Sequence, residues 1–169
     1  HNHVPGGEDD LFINKAASSK ISIISVAFIQ KLKRLELAIE ALSHVDEAEV
    51  EWYHVGHCEY SDHYFEEIKN YAASKLSIKP NIKYHFVGHY TKEQLWELYN
   101  RVQFDLFHNT SETEGIPVSM MEALSYSVPL MGTNVGGVSE IIENDINGYL
   151  LSPNPTGEEI GKAITYYAQ

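Results

Sequence analysis

Ile21 to Phe28, read as ISIISVAF, is an almost unbroken apolar run. A strand with one wet face alternates polar and apolar residues. A run with no polar side reads instead as a parallel strand covered on both faces. The residues that follow, Leu35 to Leu42, carry their apolar side chains at helical spacing. The same pairing then recurs along the chain. Val50 to Val55 is a strand candidate, and Glu66 to Leu76 is helical by pattern until Pro80-Asn81 breaks it. Ile82 to Val87 alternates as a strand and stops at Gly88. Thr91 to Arg101 reads as a helix capped by Thr91, with Leu95, Leu98 and Tyr99 turned inward. Asp105-Leu106-Phe107 is a short buried strand, and a helix begins near Val118. Val128 to Thr133 is another strand, and Asn134 to Glu140 turns into a helix. Asn147-Gly148 signals a turn before the strand Tyr149-Leu150-Leu151. Thr156 caps a last helix through Tyr167, with Glu159 at capping-box spacing. Strand and helix thus alternate about six times over short connections, which implies βαβ units and an α/β fold with one doubly wound, Rossmann-like parallel sheet of about six strands.

The 169 residues suit one domain, and 43% hydrophobic with 21% charged residues describes a folded chain, not a disordered one. The net charge of −12 argues against nucleic acid as a partner and against adhesion to anionic lipid. A phosphate site in such a chain must rely on backbone amides and a few local cations. No apolar run approaches the ~20 residues of a membrane span and no signal peptide is visible, so membrane association is not evident and a cytoplasmic location is expected. The single cysteine, Cys58, excludes an internal disulfide and fits a reducing compartment. Ser25 to Arg34 contains no glycine, which decides against a nicotinamide-dependent dehydrogenase and its G-x-G-x-x-G turn. His54, His57, His63, His85 and His89 fit no metal-binding spacing, since Gly88 interrupts any helix from His85 to His89. His1-x-His3 sits at a terminus and reads no better, so no metal site is expected.

The chemistry concentrates between Asp105 and Tyr126, DLFHNTSETEGIPVSMMEALSY. An apolar strand leads through a polar loop, His108 to Thr113, into a helix with Val118, Met121, Leu124 and Ser125 on one face. Pro117 suits the first turn, where its missing N–H has no intrahelical partner. The amides of Val118, Ser119 and Met120 would then point out of the helix end and favour an anion. Gly115 lets another group approach the backbone. Glu114 and Glu122, seven residues between them, bracket this site and could accept hydrogen bonds from sugar hydroxyls. The plainer alternative is a dipole-complementing Glu114 and a solvated Glu122.

The pattern Ser111-x-x-Glu114-Gly115-x-Pro117-x4-Glu122-Ala123 resembles the E-x7-E signature of retaining glycosyltransferases of family 4 (glycosyl transferases group 1), which have the two-domain GT-B fold. The resemblance runs from Val4 to the last helix. Val4 to Phe12 resembles the "PNGVD…F" linker between the two domains, with Gly6 in place of Asn and Glu8 in place of Val. The chain opens on His1, so residues 1–14 read as a linker remnant and 15–169 as the donor-binding domain, half of a GT-B fold without its N-terminal acceptor domain. The family's G-R-x4-K loop has its Lys in Lys33, but its Gly and Arg fall on Ala27 and Phe28. Arg34, next to Lys33, would point elsewhere. The alternative for Lys31, Lys33 and Arg34 is a solvated helix start. Gly56-x-Cys58 departs from the family's G-x-G, Phe86-x-Gly88 matches its F-x-G, and Val128 to Glu140 resembles its P-V-I-A-T-x-V-G-G-x-x-E element.

The resemblance implies transfer of a sugar from a UDP- or GDP-sugar with retention of configuration. It puts Lys33 and the segment Gly115, Ile116, Pro117, Val118 and Ser119 on the diphosphate. It puts Glu114 on the transferred sugar, Glu122 on the ribose and Gly88 beside the base. Glu114 and Lys33 are the implied catalytic pair, with no metal or cofactor. The acceptor, a glycan or glycolipid, would be held by the missing domain, with the full-length protein at the cytoplasmic membrane face and this fragment alone inactive. Two other readings stand beside it. One is a GT-B sugar-nucleotide epimerase, which the E-x7-E pattern disfavours. The other is a non-catalytic module binding nucleotide or protein, which the loss of Gly-Arg at Ala27-Phe28 keeps open.

Overall fold

The computed structural model describes residues 19–58 and 62–169. The linker reading of 1–14 and the His1/His3 pair lie outside the described residues. Six strands, β1 (Lys20–Val26), β2 (Glu49–Val55), β3 (Ile82–Gly88), β4 (Leu106–Asn109), β5 (Leu130–Thr133) and β6 (Gly148–Leu151), form one sheet in the order β3-β2-β1-β4-β5-β6. Every pairing is parallel. The α/β, Rossmann-like sheet expected from the alternation is the one observed.

The apolar runs explain both layers. Successive side chains on a strand face opposite ways, so Ile23, Leu106 and Met131 join one core while their neighbours Ile24, Phe107 and Leu130 join the other. Helices α1 (Leu35–Ser43), α2 (Asp62–Leu76) and α5 (Gly157–Ala168) cover the first face. Helices α3 (Lys92–Arg101) and α4 (Val118–Ser125) cover the second. Thr91 caps α3 and Thr156 caps α5, each in a capping box, with Gln94 and Glu159 answering. Leu95, Leu98 and Tyr99 are buried as their spacing predicts.

Three local readings change. The apolar side of α4 is Met120 and Ala123, while Val118 and Met121 are 68% and 50% exposed. Apolar residues surround most of this eight-residue helix, so periodicity could not choose its inner face. Gly132 does: its missing side chain leaves the socket where Met120 Cε sits, 3.0 Å from where a Cβ would stand. Asn134–Glu140 forms only a short 3-10 turn, Gly136–Glu140. Finally, Asp145 and not Gly148 takes the left-handed conformation in the turn before β6 (φ 65°). Gly148 is required by strand pairing, because a Cβ there would stand 2.0 Å from Leu130 O.

In this strand order the chain reverses direction across the sheet between β1 and β4. The crevice outside the carboxyl ends of strands at such a point is where open α/β sheets bind ligands.

Candidate functional site

A cleft of about 770 Å³, open to solvent, lies at the carboxyl edge of the sheet. The loop after β1 contributes Phe28 and Lys33, the loop after β2 Gly56 and His57, and the turn after β3 His89 and Tyr90. The loop from β4 into α4 closes the opposite side with Glu114, Ile116, Pro117, Val118 and Ser119.

Lys33 and Glu114 meet in this cleft. Lys33 Nζ donates to Glu114 Oε2 at 3.3 Å, and the side chains are 23% and 12% exposed. Asn109 Nδ2, at the end of β4, donates to the same oxygen at 2.9 Å, and its Oδ1 accepts from Ser111 N–H at 2.8 Å. Burial alone would raise the Glu114 pKa. Hydrogen bonds from Asn109 and Ser111, with the Lys33 charge and hydrogen bond, outweigh it and hold the carboxyl below its ordinary value. Glu114 is thus a fixed anion, and Lys33 is the one lysine or arginine in the lining described.

Several groups hold this pair in place. Arg34 takes the left-handed conformation (φ 50°) and turns away from the cleft, as its neighbouring position to Lys33 suggested. Its guanidinium donates to Thr110 O (2.7 Å), Ser111 O (2.9 Å), Pro153 O (2.9 Å) and Asn154 Oδ1 (2.9 Å). The Thr110 hydroxyl returns hydrogen bonds to the carbonyls of Lys33 and Arg34 at 3.0 Å each. One arginine thereby fastens the loop after β1 to the loops after β4 and β6.

The amides differ from the sequence expectation. Val118 N–H donates to Ile116 O (2.9 Å), and Met120 N–H donates to Pro117 O (3.0 Å). Both are occupied because Pro117, at the cap with φ −79° and ψ 80°, folds the entry into a tight turn. Among the described residues, the N–H groups of Gly115, Ile116 and Ser119 have no acceptor. Gly115 itself has open space where a Cβ would stand. The close approach is made by Gly136, whose Cβ would lie 1.7 Å from Glu114 O in a left-handed backbone (φ 52°). Gly137 N–H then holds Gly115 O at 3.1 Å.

Two expected contacts stand apart. Glu122 is one helical turn farther along α4, and its Oε2 accepts from Trp96 Nε1 at 2.9 Å; the cleft lining does not include it. Gly88 lies behind the wall, its carbonyl accepting from Gly56 N–H at 2.8 Å, and the next residues His89 and Tyr90 form the surface.

The sequence matches the model of the family glycosyl transferases group 1 over residues 8–168. The chain belongs to that family. It is 38% identical over 77 residues to the O-antigen biosynthesis glycosyltransferase WbnH of Escherichia coli, covering 46% of this chain and 20% of WbnH. The fold superposes on Anabaena Alr3699/HepE, solved in complex with UDP and glucose, with a TM-score of 0.73 and 20% identity over 96% of this chain and 42% of HepE. It also superposes on the C-terminal domain of a glycosyl transferase group 1 family protein, LpcC, of Francisella tularensis. There the TM-score is 0.66, with 19% identity over 87% of this chain and 73% of that one. The chain spans less than half the length of WbnH and HepE.

This glycosyltransferase-family cleft includes groups that motif reading passed over. Asn109 orients Glu114 from the end of a short strand, and a polar residue ending an apolar run before a loop was its only signal. His57 and His89 stand in the lining, although their spacing pointed to no metal site and so to no role. His54 is satisfied inside the core by Ser25 Oγ (2.7 Å) and Ala27 O (3.0 Å), and His85 pairs with Glu51 (2.7 Å). No group of three or more His, Cys, Asp or Glu among the described residues is placed to hold a metal ion. No helix among them is long and apolar enough to cross a membrane.

Proposed function

We propose that this chain is the donor-binding half of a glycosyltransferase that moves a sugar from a UDP- or GDP-sugar to an acceptor with retention of configuration. The observation that carries this is the Lys33–Glu114 pair in the cleft where the sheet changes direction, with Ile116 and Ser119, whose N–H groups have no acceptor among the described residues, in the same lining. A diphosphate entering here takes the amides and draws Lys33 from Glu114 to itself, with no metal ion or cofactor between them. As the glycosidic bond to phosphate breaks, negative charge grows on the leaving diphosphate, and Lys33 and the amides stabilise it. Half-burial strengthens that interaction relative to water. Glu114, released but still held by Asn109, accepts hydrogen bonds from the sugar hydroxyls and orients the ring.

The acceptor, a glycan or glycolipid, is held by a second domain across the cleft, with the whole protein working in the cytoplasm at the membrane face. Support for this half-cleft reading is the share of HepE that the chain spans and an apolar rim, Ile116 (78% exposed) and Val118, over the site. Positioning an acceptor can be worth roughly 7–11 kcal/mol of a barrier, so these residues alone transfer no sugar. Robust turnover by the chain with labelled sugar nucleotides would overturn that part. Donor binding is tested by titrating UDP and GDP calorimetrically into the chain. Saturable binding of at least one is expected, and none at millimolar ligand sinks the proposal.

A further inference from the structure

Given the reading above, the cleft has a shortage of positive charge. A nucleoside diphosphate brings more than one negative charge into a chain whose net charge is already −12. Lys33 is half committed to Glu114. The titratable or charged groups in the lining are Lys33, Glu114, His57, His89 and Tyr90, so the two imidazoles are the remaining side chains there that can become cations.

They are arranged as a built wall. His57 stands edge-on to His89, ring centres 5.2 Å apart at 84°, and edge-on to Phe28 at 5.4 Å and 77°. Its backbone is fixed, since His57 O accepts from Ile29 N–H at 3.0 Å and Gly56 N–H bonds Gly88 O. The ring is not satisfied: His57 Nδ1 is buried without a hydrogen-bond partner among the described residues. A buried ring nitrogen left open costs free energy, and a proton on it costs more unless an acceptor such as a phosphate oxygen completes the bond. Phe28, 44% exposed, offers the pair an apolar backing and no competing charge.

We propose that His57 and His89 form a second cationic wall of the donor cleft, binding the diphosphate together with Lys33 and taking up a proton from solution as they do so. A phosphate beside an imidazole favours its protonated form. The resulting N⁺–H···O⁻ bonds are roughly twice as strong as neutral ones. Donor affinity then rises as pH falls through the neutral range. Neither uridine, which lacks phosphates, nor the Lys33–Glu114 pair alone gives that behaviour.

The test is calorimetry of UDP and uridine in buffers of different ionisation enthalpy, on the chain and its H57Q/H89Q variant. Net proton uptake beyond the ionisation of UDP's own terminal phosphate, whose second pKa is about 6, is expected with UDP and not with uridine. UDP should bind about fivefold or more tightly at pH 6 than at pH 8, and the variant should lose both effects while still binding UDP at pH 8. If the double variant fails a thermal-melt check, H89Q alone, at an exposed position, must still diminish the uptake. UDP binding without proton uptake, or uptake unchanged in the folded variant, overturns the histidine wall and leaves the donor site standing. Failure of both UDP and GDP to bind at either pH overturns the donor site, and the wall with it.

Discussion

Glu114 and Lys33 are 81 residues apart in sequence and share a hydrogen bond of 3.3 Å. Replacing Lys33 by Ala removes the charge-assisted contact to a diphosphate, and UDP affinity should fall by about 1.5–3 kcal/mol in a calorimetric titration. Unchanged affinity would take Lys33 out of the site. Glu114→Gln is nearly isosteric and can still accept from Asn109, so the fold should persist. What it loses is an anion for sugar hydroxyls. The variant should therefore bind UDP at least as well as before, with Lys33 released, and lose most of any preference for a UDP-sugar over UDP. A preference that survives would show that Glu114 does not touch the sugar. The sign of its pH dependence follows from its depressed pKa. Its contribution to stability is complete above the ordinary carboxyl value and is lost as pH falls through the lower, folded value. The spacing marked both carboxylates but left their roles open, and Lys33 was set beside Glu114 only through the family resemblance. Asn109 and Trp96 could not be read as their partners, because no spacing encodes those contacts.

Elements hold the site through backbone shape. Gly136 begins the 3-10 turn after β5 and lies under the Glu114 carbonyl. Gly136→Ala would force a Cβ to 1.7 Å from Glu114 O, at a φ that an L side chain rarely adopts. The Glu114–Gly115 loop must shift, and the amides of Gly115 and Ile116 with it. UDP binding should be lost or nearly so, alongside a fall in unfolding midpoint. Unaltered binding by this variant would mean that those amides do not hold the phosphate. A cap far from the cleft behaves differently. Thr156→Ala removes the hydroxyl that accepts from Glu159 N–H at 3.1 Å, which should cost about 1 kcal/mol in urea unfolding and leave UDP binding intact. Both caps were legible, and at Thr156 the capping box with Glu159 as well, since those partners are three residues apart. The inner face of α4 was not, because the socket at Gly132 that receives Met120 belongs to another strand.

At the scale of the whole molecule, two histidines buried near the sheet's midline set how stability depends on pH. His54 lies in a directed chain. Its Nε2–H donates to Ala27 O, its Nδ1 accepts from the Ser25 hydroxyl, and Ser25 Oγ accepts from Trp52 Nε1–H at 2.8 Å. That chain fixes a neutral ring, and burial pushes its pKa down to about 4. Burial, with a smaller repulsion from His54, pushes His108 down to about 3. Both values are depressed, so the unfolded chain binds more protons below its own pKa near 6.5. Stability is therefore full above that value and falls as pH drops toward the folded values. Two such groups predict a loss of about 2–3 kcal/mol between pH 7.5 and 5.5, measured by urea unfolding at each pH. A flat profile over that window would show that these rings accept protons in the folded state.

The sequence by itself determined the alternation of elements, the burial of both sheet faces and the ends of the capped helices. Each of these depends on residues a few positions apart, and local sterics and hydrogen bonding act at that range. It also placed Glu114 at the mouth of a helix, with seven residues between it and Glu122. The tertiary structure decided what faces the cleft. The order β3-β2-β1-β4-β5-β6 sets the loops after β1 and β4 side by side, and only then does Lys33 reach Glu114 and Arg34 reach Thr110. Parallel strands joined through helices put their carboxyl ends on one edge, so His57 and His89, from separate strands, meet there as well. Glu122 was turned toward Trp96 by the rotation of α4, which packing against Gly132 imposes. Contacts of that kind follow from which faces are buried against which, and no spacing along the chain encodes them.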